Sequence, residues 1–173
     1  MAVSLGRVLA FDFGMGHIGV AVGNEDMGTA QGLIALEAVD GVPKFPQKLE
    51  SLFEQWKPEY VVVGYPLNMD GTDEEMGKRA RKFGRRLMSA YKIRVYFKDE
   101  RLTSTAAREE IFEHQGGYRA LLKHKGRIDS TAARLILEGF FDLGGRDSDV
   151  EYCDPASFLG KNYKGPDYSK FEH

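Results

Sequence analysis

The chain has 173 residues, a formal net charge of −2 and 42% hydrophobic residues. This length fits one domain with a sizeable core. The slightly negative net charge excludes a protein whose whole surface is basic and binds nucleic acid. The single cysteine, Cys153, excludes an internal disulfide and is typical of a reducing cytosol. Because neither the N-terminal segment nor any later apolar run could span a bilayer, we expect a soluble, cytoplasmic protein.

The first part of the chain predicts three strands joined by short connections. Apolar residues dominate 7–14, 17–24 and 29–36, and glycines lie within and between these segments. Such runs are typical of buried strands. Connections this short favour an antiparallel meander.

Helices and strands alternate after the meander. The predicted elements are a helix at 46–56, a strand at 60–66, a helix at 74–91, a strand at 92–100 and helices at 104–115 and 129–144. This order predicts an α/β fold whose later strands run parallel to the first through right-handed crossovers. We expect a domain at 1–143 and, at 144–173, a polar C-terminal extension that forms an appendage or loose arm outside the core.

Three acidic residues fall at one edge of the predicted sheet. Asp12 lies near the end of an apolar strand, Glu100 ends the fifth strand, and Asp129 begins the last helix on its sheet-facing side. Taken singly, Asp12 could form a buried ion pair and Asp129 a helix cap. Glu100 could pair with Arg101 at the surface. Together, the three carboxylates would repel one another unless a divalent cation lay among them, and such oxygen ligands suit Mg²⁺ or Mn²⁺.

Basic residues form two clusters that could contact a polyanion. For the cluster on the predicted helix 74–91, a solvated surface is the simpler interpretation and the one we favour. The cluster in the loop before Asp129 would place cations beside the acids, where they could hold a phosphate backbone. The helix cluster is Lys78, Arg79, Arg81, Lys82, Arg85 and Arg86, and the loop cluster is Arg119, Lys123, His124, Lys125 and Arg127.

Four motifs, in this order and spacing, carry a resemblance to a known family. They are FDFGMGHIGVAVG, VVVGYPLNMDGT, DERLTS and HKGRIDSTAARLIL. Over about residues 5–143 the chain resembles the YqgF family, bacterial RNase H-like proteins described as pre-16S rRNA nucleases or Holliday junction resolvase-like proteins. The resemblance implies an α/β, RNase H-like fold, with a five-stranded mixed sheet in the order 3-2-1-4-5 flanked by helices.

The resemblance also implies roles for individual residues. The family carries Lys or Arg soon after its first aspartate, whereas this chain has Gly16 and then His17. We therefore take His17 as the candidate for that phosphate contact. The predicted catalytic and metal-binding set is Asp12, Glu100 and Asp129. The predicted substrate-binding set is Asn68 of the PLNMDGT motif, Arg101, Arg119, Lys123, Lys125 and His17.

The function implied is hydrolysis of phosphodiesters in structured nucleic acid by two ions of Mg²⁺ or Mn²⁺, most directly 5′-end maturation of pre-16S rRNA. The expected partners are pre-rRNA or branched DNA and the small ribosomal subunit, with no membrane, and the chain is expected to be a monomer or weak homodimer. A Holliday junction resolvase and a non-catalytic RNA-binding or transcription factor stay open as alternatives. An ATP-binding protein of the actin or sugar-kinase type needs a second lobe, for which 173 residues leave no room.

Overall fold

The computed structural model describes residues 6–65, 73–99 and 130–171. Their helices are α1 (Pro46–Trp56), α2 (Asp73–Tyr91), α3 (Thr131–Asp142) and the short α4 (Ala156–Leu159). No helix in these ranges combines the length and the apolarity needed to cross a bilayer. The strands are β1 (Arg7–Asp12), β2 (His17–Asn24), β3 (Thr29–Val39), β4 (Val42–Pro43), β5 (Tyr60–Tyr65), β6 (Arg94–Asp99) and β7 (Glu151–Cys153).

The sheet has seven strands in the order β4-β3-β2-β1-β5-β6-β7, so the predicted number of five is wrong. The five inner strands follow the predicted order, with β1 antiparallel to β2 and parallel to β5. A short strand is added at each edge: β4 has two residues, and β7 has three and pairs antiparallel with β6. Strands this short cannot show the alternation of polar and apolar residues by which a strand is recognised.

Side chains of β1 alternate between two cores on opposite sides of the sheet. Leu9 and Phe11 belong to the core that α1 and α2 cover, called here the α1–α2 side. Val8 and Ala10 belong to the core covered by α3, called here the α3 side. Because successive residues of a strand point to opposite faces, Asp12 is on the α3 side.

Glycines in the sheet allow α3 to lie close against it. A Cβ atom at Gly64 of β5 would be 2.5 Å from Cδ1 of Ile136, and one at Gly23 of β2 would be 2.8 Å from Cδ2 of Leu137. Both distances are shorter than real Cβ contacts. The position of α3 relative to β1 therefore depends on the absence of side chains at these two places.

The C-terminal extension joins the sheet through β7 and packs against α1 and α2, so its interpretation as a loose arm is wrong for the part that is described. Tyr168 is buried, and its hydroxyl donates a hydrogen bond to the Pro58 carbonyl at 2.6 Å. Arg146 pairs with both Glu25 and Glu59, at 2.8 and 2.6 Å. These anchors are spread among polar residues, so no periodic pattern marks them. The boundary between a domain at 1–143 and an extension at 144–173 stays a prediction.

Candidate active site

Asp12 is the last residue of β1 and lies at the carboxyl edge of the parallel strands. Its register partners are Gly19 on β2 and Gly64 on β5. The Asp12 side chain is half-buried. Since ligands of α/β sheets bind at the carboxyl ends of the strands, the structure places this carboxylate where a site is expected.

The start of α3 lies beside Asp12. A Cβ atom at Gly19 would be 3.2 Å from Cβ of Asp12 and 3.7 Å from Oγ of Ser130, so both side chains flank the same glycine. Ser130 stands at the N-cap position of α3, but its side chain makes no capping hydrogen bond. Its buried hydroxyl instead accepts a hydrogen bond from the Val20 N–H at 2.8 Å. This bond holds the N-terminal end of α3 at the edge where Asp12 lies.

Apolar residues of α3 flank Asp12 on the two neighbouring strands. Ala133 lies over Gly19, and Ile136 lies over Gly64. Both side chains are almost completely buried. Among the described residues, they cover the strand neighbours of Asp12 with apolar surface on the inner side of the sheet.

His17 lies at the same edge and on the same side of the sheet as Asp12. It is the first residue of β2, is exposed, and stands two positions from Gly19. Two residues along a strand correspond to about 6–7 Å and to the same face. An imidazole at this place could contact a phosphate group held near Asp12, and that role stays a prediction.

A buried lysine on the α3 side was not singled out from the sequence. Lys98 is 1% exposed. It is the register partner of Gly64 on β5, and Gly64 is in turn the register partner of Asp12 on β1. Its Nζ lies 3.1 Å from where a Cβ atom of Gly139 would stand, so its aliphatic chain passes beneath α3. Buried ammonium groups need negative or polar partners, and Lys98 does make such an interaction. Because side chains of a strand alternate between the two faces of a sheet, the segment RVYFKD could have indicated that this lysine is on the same side as Tyr96.

The other predicted site residues lie outside the described residues. Across 6–65, 73–99 and 130–171, no three His, Cys, Asp or Glu side chains are grouped so that they could hold a metal ion. Of the predicted metal ligands only Asp12 falls in these ranges, so the joint placement of the three acids stays a prediction. The residues not described are Asn68, Glu100, Arg101, Arg119, Lys123, Lys125 and Asp129.

Comparison with protein families and curated proteins gives consistent matches. A family model described as "RuvX: Holliday junction resolvase" matches residues 6–143. A protein of Actinobacillus succinogenes, provisionally named pre-16S rRNA nuclease, is 54% identical over 135 residues, which cover 78% of this chain and 94% of that protein. A protein of Escherichia coli O157:H7 with the same name is 49% identical over 139 residues, which cover 80% and 98%.

Among solved structures, the chain is similar to T. thermophilus RuvC in complex with a Holliday junction substrate. The TM-score is 0.50 at 16% sequence identity, and the match covers 84% of this chain and 99% of the RuvC chain. At this identity the likeness concerns the fold alone. It supports a mixed α/β architecture of the RNase H-like kind.

Proposed function

The chain belongs to the RuvX family, also called YqgF, and from this premise we propose that it is a metal-dependent nuclease that matures the 5′ end of pre-16S rRNA. The observation that carries the proposal is the position of Asp12 beside the start of α3, at the carboxyl edge of the sheet. The RNA substrate follows from the name given to the relatives. We accordingly place the chain in the cytoplasm, as a monomer or weak homodimer that acts on the small ribosomal subunit or its precursor.

Asp12, Glu100 and Asp129 are the residues that would hold Mg²⁺ or Mn²⁺. Their carboxylate oxygens are the hard ligands that these cations prefer. Two observations support the fit: Asp12 reaches the sheet edge from an apolar strand, and Ser130, the chain neighbour of Asp129, is bonded to β2 beside it. Two such ions, when bound, would supply the attacking hydroxide and stabilise the leaving oxygen.

The chain itself contributes position and exclusion of water. The apolar side chains of Ala133 and Ile136 cover the strand neighbours of Asp12 and would limit the access of water to the inner side of its carboxylate. The bond between Ser130 and Val20 fixes the helix start that leads back to Asp129. Substrate would be held at this edge by its phosphate groups, and the proposed contacts are Asn68, Arg101, Arg119, Lys123, Lys125 and His17.

A cleavage assay with two substrates tests the proposal. Purified chain is incubated with a precursor 16S rRNA fragment and with a four-way DNA junction, with Mg²⁺, Mn²⁺ or EDTA. We expect cleavage of the RNA that leaves a 5′-phosphate and a 3′-hydroxyl and that EDTA abolishes. RNA binding without cleavage under any condition would contradict the proposal and favour a non-catalytic factor.

A second candidate function is resolution of Holliday junctions, which the description of the matching family favours. Cleavage of the DNA junction with no cleavage of the precursor RNA would support it. The same acids would serve both reactions, so the substrate comparison, and not the site variants, separates the two functions.

A further inference from the structure

A cavity of about 610 Å³ lies between α2 and the segment from β3 to α1. Its size is within the range of sites that hold small ligands, roughly 300–1,000 Å³. The cavity walls are mainly apolar, and they include Phe13, Val42, Leu49, Phe83 and Leu87. A planar apolar group could therefore be accommodated here.

The cavity begins at the edge of the sheet that carries Asp12, on the opposite side. Phe13 follows Asp12 directly in the chain, belongs to the core of the α1–α2 side and lines the cavity. Its N–H donates a hydrogen bond to the Gly64 carbonyl at 2.8 Å, which holds it to β5 beyond the end of β1. Among the described residues, Phe13 therefore connects the edge at Asp12 with the cavity on the other side of the sheet.

Three cations of α2 line the cavity in one row. Lys78, Lys82 and Arg86 are four residues apart, so they share one face of the helix and are separated by about 6 Å along its axis. All three border the cavity and are exposed to solvent. In the described part of the chain, the ion pairs of α2 are made by Arg79 and Arg81 instead.

The cavity rim keeps an excess of positive charge although it also contains two acids, Asp40 and Glu75. Glu75 pairs with Arg79 at 3.0 Å. Arg79 also donates a hydrogen bond to the Asp40 carbonyl oxygen at 3.2 Å. The positive charge of the row formed by Lys78, Lys82 and Arg86 therefore exceeds the negative charge of the one remaining carboxylate, that of Asp40.

The other two cations of α2 face β7 and not the cavity. Arg81 pairs with Glu151 at 2.7 Å. Arg85 lies near Cys153: burial raises the pKa of that thiol, and the charge of Arg85 opposes the rise. The six cations thus form two groups: Lys78, Arg79, Lys82 and Arg86 line the cavity, and Arg81 and Arg85 face β7.

We propose that this row and the cavity, together called the α2 groove, bind a single-stranded segment of the nucleic-acid substrate next to the cleaved bond. Phosphates lie along Lys78, Lys82 and Arg86, and a base enters the cavity. A positive track beside an apolar surface is the usual way in which proteins hold single strands, and RNA is read mostly through such unpaired segments. The inference rests on the proposed function. It states where the substrate would be bound beyond the edge of the sheet that carries Asp12.

The first test compares two triple variants that remove the same charge. Lys78→Ala/Lys82→Ala/Arg86→Ala removes the row, and Arg85→Ala/Lys161→Ala/Lys164→Ala removes three exposed cations that do not line the cavity. Binding of a labelled single-stranded RNA of about 12 nucleotides is followed by fluorescence anisotropy at several salt concentrations. We expect the row variant to lose about tenfold or more in affinity, and its salt slope to fall by about 2, because each phosphate contact contributes about 0.7 for single strands.

The control variant is expected to stay close to wild type in affinity and salt slope. Equal losses in both variants, or no loss in the row variant, would overturn the proposal. Poly-glutamate that bound wild type as tightly as RNA and lost binding in the row variant would also overturn it, in favour of an acidic protein partner.

The second test concerns the base in the cavity. An oligomer of the same length and charge but without bases should bind wild type more weakly than RNA does. Val42→Trp, which narrows the cavity from an exposed wall, should remove this difference. Equal binding of the two oligomers to wild type would overturn the assignment of the cavity to a base.

A cleavage assay distinguishes a failure of this inference from a failure of the proposed function. With one substrate that carries a single-stranded flank and another trimmed of it, the row variant should raise KM for the flanked substrate more than for the trimmed one. The control variant should cleave both like wild type. If wild type cleaves neither substrate the proposed function fails, and the anisotropy measurements still decide on the groove.

Discussion

The hydroxyl of Ser130 accepts a hydrogen bond from the Val20 N–H at 2.8 Å, between residues 110 positions apart in the chain. The register of β2 against β3 shifts between Ile18 and Val20, so the bond occurs where the ladder is irregular. Such bulges are common beside active sites. The bond joins the start of α3 to the strand next to Asp12.

Ser130→Ala tests this link. The substitution leaves the buried Val20 N–H without its acceptor, so we expect the free energy of unfolding in urea to fall by about 1–3 kcal/mol and cleavage to slow. Ser157→Ala is the control, because its exposed hydroxyl donates only to the nearby Asp154 carbonyl. A Ser130→Ala protein with wild-type stability and activity would show that the bond does not position α3.

Gly64→Ala tests the close packing of α3 on the sheet. The new methyl group would lie 2.5 Å from Cδ1 of Ile136, and overpacking of this kind costs about 1–3 kcal/mol. When Ile136→Ala is added, the double variant should lose less unfolding free energy than the two single variants lose in sum. Gly16→Ala, where a Cβ atom has no neighbour within 4 Å, should not lower the urea midpoint. An equally stable Gly64→Ala variant would contradict the packing described.

Stability should fall at alkaline pH because of buried tyrosines. Burial raises the pKa of Tyr168 well above its ordinary value and that of Tyr91 to about 12. The folded state thus favours the neutral phenols, so their contribution is complete below about pH 10 and is lost as the pH rises through the folded values. Urea unfolding between about pH 8 and pH 11 measures this.

Tyr168→Phe separates the hydrogen bond from the titration. The variant lacks the bond to the Pro58 carbonyl, so it should be less stable than wild type at neutral pH. It should also show a smaller alkaline decline, since one titrating group is gone. An identical decline in variant and wild type would assign the effect to other groups.

The basic segment at 116–128, which the sequence predicts to be a loop, offers a further test of substrate binding. Arg119→Ala/Lys123→Ala/Lys125→Ala should weaken binding to unrelated RNA sequences and flatten its salt dependence, because lost phosphate contacts act without regard to sequence. The loop runs directly into Asp129, so a phosphate backbone held there would be close to the proposed metal ligands. An unchanged salt slope would leave the α2 groove as the principal phosphate-binding surface.

The sequence was sufficient for the features that depend on local pattern. The apolar runs of the five inner strands gave their number, and the fold implied by the family resemblance gave their order. The position of Asp12 followed from a single carboxylate at the end of an apolar strand. The signals for the strands and for Asp12 are each local to a few residues, whereas the family resemblance draws on four motifs along the chain.

The features that the sequence did not indicate depend on contacts between distant segments. The strand β7 exists because β6 offers it an edge, and the partner of Ser130 lies 110 residues away. The four-residue spacing of the α2 cations indicates their row, but the pairing of Arg81 with Glu151 of β7 joins distant segments. No pattern within one helix or strand could have revealed these pairings.

The most direct test of the central claim, that Asp12 belongs to a catalytic metal site, is single-turnover cleavage of a precursor 16S rRNA fragment by wild type and Asp12→Asn with Mn²⁺. We expect cleavage to fall by about 100-fold or more, with an unchanged urea midpoint because asparagine keeps the shape of the side chain. Asp149→Asn, at an exposed position, serves as the control and should cleave at the wild-type rate. Wild-type cleavage by Asp12→Asn would contradict the claim.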